Sequence, residues 1–259
     1  MPGNRAVAYG KDIDYSLIEV SNVGENSLAK IGDKIIIAKE LVEDVMKEIS
    51  VLSFNSSNTF KGIDFAGTIL AHPLNNNGYE HEVLLLEADF VTTDQGTGFV
   101  HIAPGHGADD FELGRQNNLP IPETVSDNGI LNSDLPLLGG LRVLKDNEII
   151  ADIMSEHDAL IGRGKLNHSY PHSWRSKAPL VFRTTPQWFI SMTTNNLRDT
   201  SLKALSQTIF YPPQGQNRLT KMIEDRPDWC ISRQRAWGVP LAIFVCLLYT
   251  SPSPRDGDE

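Results

Sequence analysis

The sequence contains very little cysteine, and it has no long apolar run. Only Cys230 and Cys246 occur among 259 residues, so at most one disulfide can form and no Cys-x-x-Cys zinc site exists. The longest apolar run, residues 241–249, is far shorter than the roughly 20 residues that a membrane-spanning helix needs. The first residues also lack the pattern of a secretory signal peptide. A reducing, cytoplasmic location without membrane association is therefore expected.

Positive charge is scarce as well. Lysine and arginine number 23 against 33 aspartates and glutamates, which gives a formal net charge of −10. Proteins that coat nucleic acid are usually basic, so any contact with RNA would have to come from a local patch. The hydrophobic content of 40% is enough for one sizeable core, or for one core and part of another.

The hydrophobic pattern predicts a mixed α/β fold. Short apolar or β-branched runs between turn residues predict strands; these lie at 6–9, 15–20, 34–38, 83–86, 99–103, 179–184 and 187–192. Apolar residues at helical spacing predict helices; these lie at 39–49, 109–117, 197–206 and 216–225, with a further helix that Asp146 or Asn147 caps.

The most informative stretch runs from residue 97 to residue 110. An apolar strand carries His101, a Pro-Gly-His-Gly turn follows at 104–107, and Asp109 and Asp110 stand where a helix should begin. The helix dipole favours a carboxylate there, which is expected to stay ionised and so suits an ammonium anchor better than a general acid. Plain helix capping is the alternative, which we favour for Asp109, whereas for Asp110 the two interpretations are evenly balanced.

The turn also bears on the two histidines of this stretch. A histidine in a strand is more often packed than catalytic. However, Gly105 and Gly107 allow the backbone to approach a ligand closely, and the turn could bring His101 and Asp110 to one pocket wall. His106, between the glycines, is expected to face solvent. No helical His-Glu-x-x-His motif occurs, and no metal site is expected.

Two later segments leave alternatives open. Residues 168–177 are aromatic and basic; they could stack on nucleic acid, or they could connect strands with Trp174 in a core. Residues 233–235, between Trp229 and Trp237, could bind a phosphate or nucleotide, or they could form an interdomain contact.

Five blocks of the sequence together resemble the isoleucyl-tRNA synthetases; they lie at 2–7, 96–110, 168–175, 185–192 and 226–240. The resemblance implies that residues 1–170 form the inserted editing domain, a mixed β-barrel-like fold with flanking helices. The family's threonine-rich peptide would precede Pro2, so the N-terminal edge of this domain is expected to be missing. Residues 171–245 would return into the Rossmann-type catalytic domain. Residues 246–259 are interpreted as a non-native tail, because they look like a translated sequencing adapter.

The resemblance also implies an activity, which is hydrolysis of the ester between valine and the 3′ adenosine of tRNA. One missing methylene changes binding in an apolar pocket too little for faithful selection, so a second site removes the smaller product. Asp110 would hold the substrate's α-ammonium group, and His101 would line the side-chain pocket and exclude isoleucine. The other implied contacts are Asn4, Gly105, His106, Gly107 and Asp109 for the ester substrate, and Arg233, Gln234 and Trp237 for a nucleotide or tRNA.

Expected partners and cofactors follow from the same resemblance. The partner is the isoleucine tRNA with its valine or isoleucine ester, and the protein is expected to be a monomer. Editing needs no cofactor, whereas the parent ligase would use ATP and Mg²⁺. Ser173 and Ser176 replace cysteines that suggest zinc in some relatives, so zinc is not expected. The alternatives are a non-catalytic module that binds the aminoacylated 3′ end, and a metal hydrolase.

Overall fold

A computed structural model describes residues 2–164, 169–234 and 238. The chain divides into two compact units, Met1–Thr184 and Thr185–Glu259. The mixed α/β class predicted from the sequence is confirmed, whereas the domain boundary near residue 170 stays a prediction about the family's domains. In the described part of the chain, no helix has both the length and the apolar character to cross a membrane. The interpretation of 246–259 as a non-native tail falls outside the described residues.

The first unit contains two sheets. Its strands are β1 (Ala6–Tyr9), β2 (Asp14–Val23), β3 (Lys34–Ala38), β4 (Val51–Lys61), β5 (Ile69–Ala71), β6 (Glu82–Glu87) and β7 (Phe99–Ile102). The four-stranded sheet has the order β5-β6-β1-β7, in which β1 is parallel to β6 and antiparallel to β7. The other sheet is antiparallel, with the order β3-β2-β4.

In the described residues of the first unit, three α-helices accompany these sheets, namely α1 (Val42–Glu48), α2 (Ala108–Gln116) and α3 (Asn147–Glu156). Short 3₁₀ turns at Lys39–Leu41 and Gly62–Phe65 precede α1 and follow β4. The predicted helix at 39–49 is thus a 3₁₀ turn followed by α1.

Strand β1 separates two hydrophobic cores. Val7 and Tyr9 point into a core shared with the three-stranded sheet and α1. Ala6 and Ala8 point to the other face, where Leu113 of α2 packs. Because side chains alternate along a strand, small residues on one side leave room for the helix while large residues on the other fill the space between the sheets.

The segment before β7 is fixed to the other sheet by Tyr15. The buried Tyr15 hydroxyl donates a hydrogen bond to the Gly98 carbonyl at 2.7 Å and accepts one from the Gly10 amide at 3.1 Å. The Ala38 amide donates to the Thr97 carbonyl at 2.9 Å. These bonds set the position at which β7 begins, and β7 carries the candidate site.

A further core packs around α3; its buried members are Leu74, Tyr79, Val125, Leu131, Leu138 and Met154. The second unit contains β8 (Phe189–Ile190), α4 (Leu197–Gln207), α5 (Gln214–Glu224) and β9 (Trp229–Cys230), with β8 and β9 paired antiparallel.

Some sequence-based predictions are wrong. Residues 179–184 do not form a strand, since the stretch makes only an isolated bridge between Pro179 and His172. Trp174 is 79% exposed, so it is not a core residue. Strands β4 and β5 were not predicted.

Candidate functional site

The candidate site lies where β7 turns into α2. The His106 amide donates to the Ala103 carbonyl at 2.9 Å, which closes the Pro-Gly-His-Gly turn. Pro104 packs directly on Gly114 of α2, where an added Cβ would lie 2.7 Å from the proline Cγ. The Pro-Gly-His-Gly turn and α2 therefore form one close-packed corner.

Asp110 reaches back across this corner to the end of β7. Its Oδ2 accepts a hydrogen bond from the Ala103 amide at 2.8 Å, and the residue is half-buried. Within the described ranges, no lysine, arginine or histidine nitrogen lies within 4 Å of this carboxylate. A held carboxylate without a protein cation can accept a cationic group from a ligand.

Asp109 occupies different surroundings, and the capping role that we favoured for it is wrong. The N-cap of α2 is Gly107, and no side chain makes a cap hydrogen bond. Asp109 instead lines a groove of about 300 Å³ together with Glu87, Asp89, Glu112 and other residues. The two neighbouring aspartates thus do not share one pocket in the structure.

His101 lies on β7, as predicted, opposite Val7 of β1. It shares the strand face of Phe99, which packs into the core between the sheets, whereas α2 packs on the face of Ile102. His101 and Asp110 form no hydrogen bond or ion pair with each other. They flank the end of β7 from opposite sides of the sheet, so their placement on one pocket wall stays a prediction.

The environment of His101 favours its neutral form. The residue remains accessible to solvent, yet many protein atoms surround its ring. Desolvation by these atoms is the largest cause that lowers the pKa of His101, and together with repulsion by nearby positive charge it brings the pKa to about 4. The imidazole is therefore uncharged at neutral pH.

This lowered pKa predicts a pH-dependent stability. The unfolded state binds a proton at His101 more readily than the folded state does, so the free energy of unfolding should fall as the pH decreases from about 6.5 towards 4. In His101→Gln, the free energy of unfolding should fall less over this pH range than in wild type. The difference between the two proteins should be smaller than for a fully enclosed histidine, since water reaches the ring of His101. Urea unfolding at pH 7 and pH 5 measures the difference; equal losses in wild type and variant would contradict it.

His106 is half-buried, whereas the sequence analysis expected it to face solvent. Its Nδ1 lies 2.9 Å from the Phe182 carbonyl oxygen, and its Nε2 lies 2.7 Å from the Thr124 hydroxyl. Since a carbonyl only accepts, Nδ1 carries a proton and donates to Phe182, while Nε2 shares a hydrogen bond with the hydroxyl of Thr124, which is 2% exposed. His106 thus ties the turn to two distant segments, and both ring nitrogens are occupied.

The two glycines of the turn differ in their surroundings. A Cβ on Gly107 would lie 3.0 Å from Oδ1 of Asp110, whereas a Cβ on Gly105 would meet nothing closer than the Pro122 carbonyl oxygen at 3.4 Å. Gly107 therefore leaves the space that the carboxylate occupies.

We predict that Gly107→Ala displaces the Asp110 carboxylate and weakens its bond to the Ala103 amide. The Ala103 amide proton should exchange with solvent about tenfold faster, because a hydrogen bond to a charged group stabilises by roughly 1.5 to 3 kcal/mol. Hydrogen exchange followed by NMR measures this. Gly105→Ala is the matched control and should leave the rate unchanged; equal rates in all three proteins would contradict the prediction.

Asn4 is almost completely buried and links two strands. Its side-chain amide donates to the carbonyls of Ala6 at 2.9 Å and Ile102 at 3.3 Å. Its neighbour Arg5, which the sequence analysis did not single out, lies at the same end of the sheet and contacts His81. The predicted substrate contact of Asn4 stays a prediction.

The remaining predicted contacts belong to the second unit. Arg233 is exposed and donates to the carbonyls of Cys230 and Ser232 at 3.1 and 2.8 Å. Gln234 donates to the Thr185 hydroxyl at 3.1 Å. Trp237 and His168 lie outside the described residues.

Comparison with known proteins identifies the family. Residues 3–248 match the family model of tRNA synthetases class I (I, L, M and V). The chain belongs to the class I tRNA synthetases. The match extends over both units, so both contain sequence of this family.

Within the class I tRNA synthetases, the chain is similar to isoleucine–tRNA ligases, which confirms the resemblance seen in the sequence. It is 49% identical to the isoleucine–tRNA ligase of Pelagibacter ubique and 48% identical to that of Gluconobacter oxydans, in each case over 95% of this chain. The chain spans only 27% of the length of either relative. These relatives are aminoacyl-tRNA ligases.

Among solved structures, GlLeuRS-CP1 is similar with a TM-score of 0.47 and 11% sequence identity. The likeness covers 63% of this chain and 82% of that chain. A similarity this distant indicates nothing about function.

Proposed function

We propose that this chain is the editing part of an isoleucine–tRNA ligase and that its first unit hydrolyses valine from mischarged isoleucine tRNA. Membership of the class I tRNA synthetases and the similarity to isoleucine–tRNA ligases support the substrate class. The observation that carries the proposal is the carboxylate of Asp110, which the Ala103 amide holds in place and which has no cationic partner in the described part of the protein.

The substrate's charge fits this carboxylate. An aminoacyl ester carries an α-ammonium group next to its carbonyl carbon, and Asp110 would hold that ammonium by a charge-assisted hydrogen bond. A water molecule then adds to the carbonyl carbon and the bond to the ribose oxygen breaks. The hydroxyl of the water stays on the acyl group and a proton passes to the ribose oxygen, which yields valine and tRNA with a free terminal hydroxyl.

His101 would line the pocket for the amino-acid side chain. Its lowered pKa keeps the ring uncharged at neutral pH, so it can lie against an apolar side chain without burying a charge. Because it lies on the sheet face opposite α2, the proposed pocket extends around the end of β7 from Asp110 to His101. Gly105 and Gly107 would leave room for the ester.

The finer features of the fold also belong to this proposal. The two sheets of the first unit, which share one core, would form the family's barrel-like editing domain. The second unit would lead into a Rossmann-type catalytic domain, in which Arg233 and Gln234 contact a nucleotide or tRNA. The parent ligase would use ATP and Mg²⁺. The His-Ile-Gly-His and Lys-Met-Ser-Lys-Ser signatures of amino-acid activation do not occur in this sequence, so no step of the present mechanism involves ATP.

A single-turnover deacylation assay tests the proposed function. The chain, in excess, is incubated with isoleucine tRNA charged with radiolabelled valine or isoleucine, and the release of free amino acid is followed. We expect valine to be released faster than in the absence of protein, and isoleucine to be retained. Binding of the charged tRNA without release would instead indicate a passive module, and release that stops on addition of a chelator would indicate a metal hydrolase; either result contradicts the proposal.

A further inference from the structure

Arg5 is a half-buried cation without an acidic partner among the described residues. The ion pairs in that part of the chain are formed by exposed or partly exposed lysines and arginines, and none of these pairs includes Arg5. Desolvation, the largest cause, lowers the pKa of the Arg5 guanidinium below its ordinary value. A desolvated positive charge in a protein of net charge −10 is unusual, since burial of an unpaired charge costs free energy.

The guanidinium of Arg5 is bound on one side only. Its Nη1 donates to the Pro2 carbonyl at 3.2 Å and to the Asn4 carbonyl, and it lies 2.9 Å from Nε2 of His81, which is itself 3.0 Å from the Asn4 carbonyl oxygen. Nη2 and Nε have no hydrogen-bond partner within the described ranges, and they are not enclosed by protein, because the only buried unpartnered side-chain nitrogen or oxygen there belongs to Arg198. Arg5 therefore keeps a free pair of donors on its outer side.

This free pair of donors lies at the same end of the sheet as Asp110. The Arg5 amide donates to the Ile102 carbonyl at 3.0 Å, and the amide of the next residue, Ala103, donates to Asp110 at 2.8 Å. These two hydrogen bonds connect Arg5 and Asp110 through a single peptide unit, yet the two side chains form no ion pair. One end of the sheet thus presents a carboxylate and a guanidinium, each available to a ligand.

These two charges match the two charged ends of an aminoacyl nucleotide. The α-ammonium group of the amino acid is positive, and the phosphate on the 5′ side of its nucleoside is negative. The planar fork of a guanidinium fits phosphate oxygens with two parallel hydrogen bonds, which an ammonium cannot do. We propose that Arg5 binds the phosphate on the 5′ side of the terminal nucleoside of aminoacyl-tRNA. This proposal rests on the proposed function and adds a second anchor to the same site.

Two non-hydrolysable ligand analogues test this inference on the chain itself. Both carry valine in amide linkage on 3′-amino-3′-deoxyadenosine; one has a 5′-hydroxyl and the other a 5′-phosphate. Dissociation constants are measured by NMR titration for wild type, Arg5→Met, Arg5→Lys and Lys11→Met. Lys11→Met is the matched control, because Lys11 follows the other end of β1 and is paired with Glu87 at 3.0 Å.

We expect wild type to bind the phosphate analogue at least about ten- to a hundredfold more tightly than the hydroxyl analogue, which is the factor that a single hydrogen bond between charged groups would give. Arg5→Met should abolish this preference without changing the affinity for the hydroxyl analogue. Arg5→Lys should retain part of the preference, and Lys11→Met should retain it fully.

Each other outcome overturns a specific claim. Equal affinity of wild type for the two analogues, or a preference that survives in Arg5→Met, refutes the phosphate role of Arg5 but leaves the proposed function intact. If wild type binds neither analogue, both the proposed function and the role of Arg5 are wrong. Amide spectra report whether each variant folds. If Arg5→Met does not fold, the preference of wild type for the phosphate analogue and the partial preference of Arg5→Lys test the role of Arg5.

Discussion

Asp110→Asn should lower the rate of valine release from mischarged tRNA by about ten- to a hundredfold, because it removes a charge-assisted hydrogen bond of roughly 1.5 to 3 kcal/mol to the substrate ammonium. Asparagine still offers an oxygen to the Ala103 amide, so the corner between β7 and α2 should remain folded. Single-turnover kinetics at several protein concentrations measure the change, and thermal unfolding confirms that stability is retained.

Asp109→Asn is the matched control for this variant. It removes the same charge from the neighbouring residue of the same helix, but Asp109 lines the groove with Glu87 and Glu112 and does not approach Ala103. Its release rate should remain within about twofold of wild type, since an exposed surface charge contributes little. If both variants lose activity equally, the effect is one of overall charge and the anchoring role of Asp110 is refuted.

Gly98→Ala should destabilise the first unit by about 2 to 5 kcal/mol. Gly98 has a φ of +78° and is buried, and an added Cβ would lie 2.3 Å from the Cβ of Ala38 and 3.3 Å from Cε1 of Tyr15. The left-handed backbone costs a residue with a side chain roughly 1 to 2 kcal/mol, and overpacking in a core costs roughly a further 1 to 3 kcal/mol. Denaturant unfolding followed by circular dichroism measures the sum.

Gly96→Ala separates these two causes. Gly96 also has a φ of +78°, but nothing lies within 4 Å of an added Cβ. It should therefore show only the backbone cost of roughly 1 to 2 kcal/mol. Were the two variants equally stable, the contact between Gly98 and Ala38 would not be a determinant of the fold.

The sequence predicted those elements whose local pattern and tertiary role agree. Residues 34–38, which include three consecutive β-branched isoleucines, form β3, and the acidic pair after the Pro-Gly-His-Gly turn lies in the first turn of α2. Strand β4 was not predicted because its Ser- and Asn-rich sequence has no apolar period. Most of its residues are exposed, and pairing with β2 rather than its own composition keeps it extended.

The opposite error occurred at residues 179–184. Leu180, Val181 and Phe182 have the composition of a strand, yet each is at least 36% exposed and none pairs in a ladder. Composition alone cannot distinguish an apolar strand from an apolar segment that lies along a surface.

The candidate site was predictable only as far as neighbouring residues determine it. A carboxylate near the start of a helix is a local feature, and the sequence predicted it. The partners of His106 are not local, because Thr124 and Phe182 lie 18 and 76 residues further along the chain. No pattern within the turn could indicate that both ring nitrogens would be bound. The same holds for Arg5, whose contact with His81 spans 76 residues.

The alternation of small and large side chains along β1 also fixes the alignment of the strand. If β1 slipped by one residue, Val7 and Tyr9 would enter alanine-sized spaces beneath α2, and the alanines would leave voids between the sheets. Such a slip would carry Arg5 about 3.3 Å along its neighbours. Two alanines that lie away from the proposed ligand thus determine the distance between the guanidinium of Arg5 and the carboxylate of Asp110.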